Sequence, residues 1–203
     1  MGRWEPDSRG RLQEAALTLF AERGFDQTTA AEIAARAGLT ERTFFRHFAD
    51  KREVLFGGSE VLGERIAEAV ASAPSSDGPL AAVARGLDAA AAMLGAFRRD
   101  LSRDRHAVIT ANPELREREL AKLADYATSV AAALRDRGVA EPAAGLAAEA
   151  GMSVLRVAMQ RWAGGTDDRD LAMIIRDALA ELRSVAAGRL PPEHHDVTPE
   201  SCH

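Results

Sequence analysis

The apolar residues of this chain recur at spacings of three and four, which is the pattern of helices that bury one face. The first such segment begins at Asp7 or Ser8 and ends at Gly24. Its inward positions are Leu12, Ala16, Leu19 and Phe20. No segment alternates strictly between apolar and polar residues, as a half-buried strand does. The pattern therefore predicts an all-α fold of about nine helices.

Capping residues and helix breakers set the remaining boundaries. Thr29 and Glu32 form a capping box that opens the second helix, and Gly38 ends it. Asp50 and Glu53 repeat this signature at the start of the fourth helix. The helices predicted after the first cover residues 29–38, 40–48, 50–73, 80–101, a short segment to 110, 113–137, 142–164 and 168–187.

The composition favours a cytoplasmic helical protein without catalytic chemistry. Hydrophobic residues make up 46% of the 203 positions and aromatic residues only 5%, a balance that favours helices over strands. No apolar run reaches the roughly 18 residues of a membrane span, the first residues show no apolar signal region, and Cys202 is the single cysteine. Common enzyme motifs are absent as well. We therefore expect no enzyme activity and no cofactor.

The charge of the chain is unevenly distributed along the sequence. The net charge is −5, but residues 1–52 carry +1 and the remainder −6. Within 40–52 the basic residues outnumber the acidic ones, so a surface that attracts a polyanion would be local, with an acidic body behind it.

Residues of the types that bind metals lie near the C-terminus: His194, His195, Cys202 and His203. They lie in a proline-rich segment, and no metal site is expected there.

The stretch AEIAARAGLTERTFFRHFADK, residues 31–51, combines two short helical segments with a tight turn. In a helix-turn-helix the crossing needs a small residue, here Ala34, and the turn needs a positive φ, which Gly38 adopts without steric cost. The side chains expected to face inward are Leu39, Phe44 and Phe48. Those expected to face outward, toward base edges in a major groove, are Thr40, Glu41, Arg42, Phe45 and Arg46. The same spacing also fits an ordinary helical hairpin with a solvated charged face.

Residues 28–56, TTAAEIAARAGLTERTFFRHFADKREVLF, resemble the DNA-binding domain of the tetracycline-repressor (TetR) family of one-component bacterial regulators. The similarity extends from about residue 10 to residue 56. The stretch RDRHAVITANPELRERELAKLADY and the Trp-containing helix before Gly164 resemble the branch that includes the mycofactocin-type regulators. The resemblance implies a homodimeric repressor whose C-terminal domain binds a small effector, of acyl or acyl-thioester type in this branch.

The resemblance assigns roles to single residues. The base-reading positions are Thr40, Glu41 and Arg42. Arg42 is the candidate for a bidentate contact to guanine. The positions that match phosphate contacts are Thr29, Thr43, His47 and Lys51. Phe45 stands where the family commonly has tyrosine, so it is expected to touch a thymine methyl or a sugar instead of a phosphate. His47 fits equally well as a helix-end residue that interacts with the C-terminal dipole.

The chain is predicted to consist of three parts. Residues 1–52 form the helix-turn-helix DNA-binding domain, residues 53–188 the effector-binding and dimerisation domain, and residues 189–203 a disordered tail. The segment PSSDGP at 74–79 is the clearest linker. Gly57 and Gly58 are expected inside the fourth helix, where they would act as a hinge or allow close packing against a neighbour.

Two helices near the C-terminus carry apolar residues on more than one face. One stripe of the eighth helix contains Met152, Leu155, Met159 and Trp162, and a second contains Ala147, Ala150, Val154 and Val157. The ninth helix adds Leu171, Ile174, Ile175, Ala178, Leu182 and Val185. These faces would either all pack inside a monomer or form a four-helix dimer interface, as the resemblance implies. A charged substitution at Val157 or Ile175 is expected to split or unfold that dimer.

The candidate effector pocket is an apolar group of side chains. Its members are Met93, Phe97, Tyr126, Met152, Met159 and Trp162. Methionine adapts to irregular ligands, although the same residues fit plain core packing. Arg103, Arg105 and His106 would either hold an anionic head group or form a solvated surface.

The protein is predicted to be a repressor that binds a palindromic operator and is released by a small apolar or acyl effector. The alternatives are a ligand-independent DNA-binding protein and a small-molecule-binding protein without DNA function.

Overall fold

The structure, a computed structural model, describes residues 8–95, 99–165 and 169–189. These residues form nine α-helices and one 3-10 helix, so the predicted all-α fold is confirmed. The elements are α1 (Ser8–Arg23), α2 (Ala30–Arg36), α3 (Glu41–His47), the 3-10 helix (Glu53–Phe56), α4 (Ser59–Ala71), α5 (Pro79–Gly95), α6 (Arg99–Ala111), α7 (Pro113–Asp136), α8 (Ala143–Gly164) and α9 (Leu171–Ala186). Phe97, the four candidate metal ligands and almost all of the predicted tail lie outside the described residues.

Helices α1 to α3 and the 3-10 helix pack around one apolar core. We call this group of helices the head. Phe44 of α3 is fully buried there, with its ring 5.4 Å from that of Phe45 and 5.5 Å from that of Phe48. Ile33 of α2 and Val54 of the 3-10 helix are equally buried. Burying one such side chain is worth about 1.5–3 kcal/mol, so α3 is fixed by its inner face and its outer face is left for other contacts.

Helices α4, α5, α7, α8 and α9 enclose a second apolar core. We call this group of helices the body. Two glycines allow its helices to approach closely. A Cβ added at Gly86 of α5 would lie 3.0 Å from the backbone oxygen of Ile66 on α4. A Cβ added at Gly151 of α8 would clash with Val83 Cγ1 on α5. The body is therefore tightly packed along both faces of α5.

Helix α6 and the beginning of α7 connect the two parts. Val108 and Ile109 of α6 and Leu115 of α7 are buried, and they belong to the apolar cluster of the head. The head is therefore held against the body by apolar contacts as well as by the chain connection through α4.

The predicted fourth helix is wrong over its first turns. Residues 53–56 form a 3-10 helix in which Val54, Leu55 and Phe56 are all buried. The backbone at Gly58 interrupts an α-helix that would start at Asp50, because an α-helix needs a φ near −60° at every residue. Gly58 has a φ of +94° and precedes α4, which begins at Ser59. The glycine pair thus lies between two helices and not inside one.

The predicted fifth helix, residues 80–101, is longer than the helix in the structure. Helix α5 ends at Gly95, and α6 is a separate helix of 13 residues. Most side chains of α6 are polar, and only Val108 and Ile109 are buried, so its apolar spacing gives a weak signal. In the described part of the chain, no single helix is long and apolar enough to cross a membrane.

Candidate DNA interface and effector domain

The turn between α2 and α3 has the geometry that the sequence predicts. Gly38 has a φ of +67° and donates its N–H to the Ala35 carbonyl at 3.0 Å. The Leu39 N–H donates to the Ala34 carbonyl at 2.8 Å, so α2 ends in a Schellman motif. The Arg11 side chain of α1 donates to the Ala37 carbonyl and fixes the turn against α1.

Thr40 is the N-cap of α3, and its hydroxyl accepts the Thr43 N–H at 3.2 Å. Beyond this cap the outward residues are exposed as predicted, and Phe45 is 52% exposed. The exposed set is Thr40, Glu41, Arg42, Phe45 and Arg46. Thr43 and His47 are half-buried at the sides of the helix. A short helix with one buried and one exposed face is the shape that enters a major groove.

Arg42 and Arg46 are the cations of α3 that are available for an external partner. Within the described residues, neither guanidinium has a hydrogen bond or ion pair. Arg52 differs, because it pairs with Asp50 at 2.8 Å and lies 3.8 Å from Glu114. The positive charge of residues 40–52 is thus presented mainly by α3.

Thr29 is committed to the cap of α2. Its N–H and its hydroxyl both donate to Glu32 Oε2, at 2.9 and 2.8 Å. The Thr29 hydroxyl and backbone hydrogen bonds hold the pKa of Glu32 below its ordinary value. A phosphate at this position would compete with an ionised carboxylate for the Thr29 donors.

Lys51 contacts the loop between α1 and α2. Its Nζ donates to the carbonyls of Phe25 at 2.7 Å, Thr28 at 3.1 Å and Asp26 at 3.4 Å. The ammonium also lies 4.2 Å from the centre of the Phe25 ring. The resemblance suggested a phosphate contact for Lys51, whereas the structure gives it several partners within the chain.

Most predicted effector residues lie in or against the core of the body. Tyr126, Met152 and Trp162 are buried, and Met93 and Met159 are partly buried. The Tyr126 ring packs so closely on α4 that a Cβ at Gly63 would lie 2.8 Å from it. The predicted residues therefore fill the body in this structure.

Two cavities are found away from the middle of that group. One of about 440 Å³ is open to solvent between the end of α1 and α6, where Phe20, Phe25 and Val108 line it. Another of about 140 Å³ lies between α7 and α8 and includes Met152 and Arg156. Of the five predicted effector residues that the structure describes, Met152 alone lines either of these two cavities.

Of the three basic candidates for an anionic head group, His106 is half-buried, and Arg103 and Arg105 have different partners. Arg103 donates to the Gly165 carbonyl at 3.1 Å, at the end of α8. Arg105 instead donates to the Leu55 carbonyl at 2.7 Å and to Glu119 at 3.3 Å, and it lies over the Phe56 ring. Burial lowers the pKa of Arg105, and Glu119 opposes that shift. Arg105 thus belongs to the contact between head and body.

The ion pairs at that contact were not foreseen from the sequence. Glu53 of the 3-10 helix accepts from Arg118 of α7, and Lys122 lies 3.7 Å away. Arg52 and Glu114 add a second pair across the same boundary. The available signal was the spacing of Glu114, Arg118 and Lys122, which places three charges on one face of α7.

The outer faces of α8 and α9 differ from the predicted stripes. Ile175 is 1% exposed and Val154 is 4% exposed, so both belong to the core of the body and not to an outer face. Val157 is 37% exposed. The exposed large apolar residues of α7 to α9 are Leu120, Leu146, Val157, Met173 and Val185. A partner surface on these helices would use this second set, since a helix turns the residues of its core face away from the outside.

Comparison with known sequences decides the family. The sequence model of bacterial regulatory proteins of the tetR family matches residues 12–56, and that of the MftR C-terminal domain matches residues 77–187. The chain belongs to the TetR family of transcriptional regulators. As a TetR-family protein with an MftR-like C-terminal domain, it is a regulator and not an enzyme.

Individual TetR-family proteins are similar to this chain in sequence or in fold. The HTH-type transcriptional regulator TcmR of Streptomyces glaucescens is 37% identical over 98 residues, which are 48% of this chain and 39% of TcmR. The match thus spans about two fifths of that relative's length. Thermus thermophilus FadR, a repressor solved with lauroyl-CoA, is 25% identical with a TM-score of 0.52, over 96% of this chain and 100% of that one. Bacillus subtilis FadR, solved with stearoyl-CoA, shares the fold at 20% identity with a TM-score of 0.59, over 85% and 96% of the chains.

Proposed function

We propose that this TetR-family regulator is a dimeric repressor that binds a palindromic operator through α3 and is released by an acyl-type effector. The observation that carries the proposal is the outer face of α3. Arg42 and Arg46 are exposed there and have no ion pair within the described residues, while Phe44 fixes the opposite face in the core. A positive, rigid and short helix of this kind is suited to a major groove.

The DNA contacts follow from the order of residues along α3. Thr40, Glu41 and Arg42 stand at the amino end, which reaches base edges first. Arg42 would bind guanine through two parallel N–H donors. Phe45 lacks a hydroxyl and would pack on a thymine methyl or a sugar. Thr29, Thr43 and His47 are the proposed phosphate contacts, and at Thr29 a phosphate would compete with Glu32.

The effector is proposed from the chemistry of the body and from two relatives. Thermus thermophilus FadR and Bacillus subtilis FadR were solved with lauroyl-CoA and stearoyl-CoA. In this chain the C-terminal domain has an apolar core that Met152, Met159 and Trp162 join or pack against. Because these side chains fill the core, an acyl chain would have to displace them, and methionine adapts readily to such displacement.

A second copy of the chain would cover the outer faces of α8 and α9. Leu146, Val157 and Met173 are large apolar residues that remain exposed on these adjacent helices. Two such pairs of helices related by a two-fold axis form a four-helix interface. Operator half-sites lie roughly 34 Å apart, so a change in the separation of the two heads would prevent both from docking.

The test is a footprint on the DNA flanking the chain's own gene, repeated with acyl-CoA compounds of increasing chain length. We expect a protected palindrome that is lost over a limited range of chain lengths. Uniform weak protection of any DNA would contradict the operator proposal. Protection that no acyl compound changes would point to a ligand-independent DNA-binding protein. Acyl binding without any protection would point to a small-molecule-binding protein with no DNA function.

A further inference from the structure

Lys51 follows α3, yet its ammonium is bound to the loop between α1 and α2. Two of its three N–H donors reach the carbonyls of Phe25 and Thr28 at 2.7 and 3.1 Å, within the usual range for hydrogen bonds. The third carbonyl, of Asp26, is 3.4 Å away. The Phe25 ring covers another side of the ammonium at 4.2 Å. At most one donor is left for a phosphate.

The carbonyls that bind Lys51 belong to the loop that leads into α2. This loop is also held from the other side, because the buried Thr28 hydroxyl donates to the Gly24 carbonyl at 2.9 Å. Thr28 is followed directly by Thr29, the residue that caps α2. Lys51 and Thr28 together therefore fix where α2 begins, and α2 packs on α3.

We propose that Lys51 is a positioning residue for operator binding, which ties the loop before α2 to the segment after α3 and does not act mainly as a phosphate contact. The proposal rests on the DNA-binding function proposed above. Loss of the ammonium would release three carbonyls and the Phe25 ring, and the start of α2 would lose its fixed position relative to α3. Operator affinity would then fall although no contact with DNA had been removed.

Three variants separate the two roles of Lys51. Lys51→Met keeps the length of the side chain but removes the charge and all donors. Lys51→Arg keeps a charge that binds phosphate well, but its planar fork does not match three carbonyls that converge on one nitrogen. Arg46→Met is the matched control, because it removes a charge from the exposed face of α3. Operator affinity is measured across a series of salt concentrations, at a temperature well below the melting point of every variant.

We expect both Lys51 variants to lose operator affinity on the order of tenfold, with an unchanged dependence on salt. Arg46→Met is expected to reduce the salt slope by about one, because it removes one positive charge that displaces counterions from the DNA. A similar reduction in Lys51→Met, with full affinity in Lys51→Arg, would overturn the proposal in favour of a phosphate contact. Unchanged operator affinity with a lowered melting point would overturn it in favour of a purely structural role.

Amide hydrogen exchange gives a readout that needs no DNA. We expect Lys51→Met to speed exchange at the N–H groups of residues 28–33 in the free protein, while those of α8 stay as they are. Unchanged exchange at residues 28–33 would overturn the positioning role even if the wild-type protein bound no operator. Failure of the wild-type footprint with faster exchange in Lys51→Met would instead count against the proposed function alone.

Discussion

Arg118 on α7 donates a hydrogen bond to Glu53 of the 3-10 helix, with 2.6 Å between Arg118 Nε and Glu53 Oε1. Lys122 lies 3.7 Å from the second carboxylate oxygen. The pair joins the body to the first residues after the DNA-binding segment, and the Glu53 side chain is only 19% exposed. An effector that displaced α7 would therefore move the head through this contact.

The first prediction concerns this coupling. Arg118→Gln is expected to change the effector response by on the order of 0.5–2 kcal/mol, and to change operator affinity without effector by less. The measurement is operator affinity with and without the acyl compound that releases the wild-type protein. Arg135→Gln is the matched control, because it breaks an exposed ion pair with Glu141 near the other end of the same helix. Equal effector responses in the wild-type protein and both variants would remove the coupling role of Arg118.

The second prediction concerns Gly58. Its φ of +94° costs a residue with a Cβ about 1–2 kcal/mol, although a Cβ there would meet no atom within 4 Å. Gly58→Ala is therefore expected to lower the free energy of unfolding by about 1 kcal/mol, and Gly58→Asn by less because asparagine tolerates this conformation. Urea unfolding measures both. A stabilised Gly58→Ala variant would show that residues 53–71 form one continuous helix after all.

The third prediction separates the outer face of α8 from the core face of α9. Val157→Asp would place a carboxylate in the proposed dimer interface, and it is expected to give a folded monomer in sedimentation velocity. Ile175→Asp would bury an unpaired carboxylate inside the body, and it is expected to unfold the chain, as seen by circular dichroism. A Val157→Asp protein that sediments like the wild-type dimer would place the interface on other helices.

The fourth prediction uses the single tyrosine of the sequence. Burial raises the pKa of Tyr126 from 10.0 to about 12, against the lowering effects of a Ser59 hydrogen bond and of Arg105. Because the unfolded chain loses this proton first, the contribution of Tyr126 to stability is complete below pH 10 and is lost as the pH rises toward 12. The tyrosinate absorption band should therefore develop near pH 12 in the folded protein. Development near pH 10, together with a wild-type alkaline stability loss equal to that of Tyr126→Phe, would contradict the buried position.

The sequence predicted the head better than the body for physical reasons. Local signals determine the turn, since a capping box at Thr29 and a positive φ at Gly38 act within a few residues. The break at Gly58 and the inward position of Ile175 depend on packing partners far away in the chain, which periodicity does not reveal. The same holds for Lys51, because its carbonyl partners lie 23 to 26 residues earlier.

The central claim is that α3 reads base sequence through Arg42. The most direct measurement compares wild-type protein and Arg42→Ala on the footprinted operator and on scrambled DNA of equal length, at one salt concentration. We predict that Arg42→Ala loses about 1–3 kcal/mol on the operator, tolerates changes at one base pair, and loses much less on scrambled DNA. Equal losses on both DNAs, or wild-type protein that binds both equally, would contradict the claim.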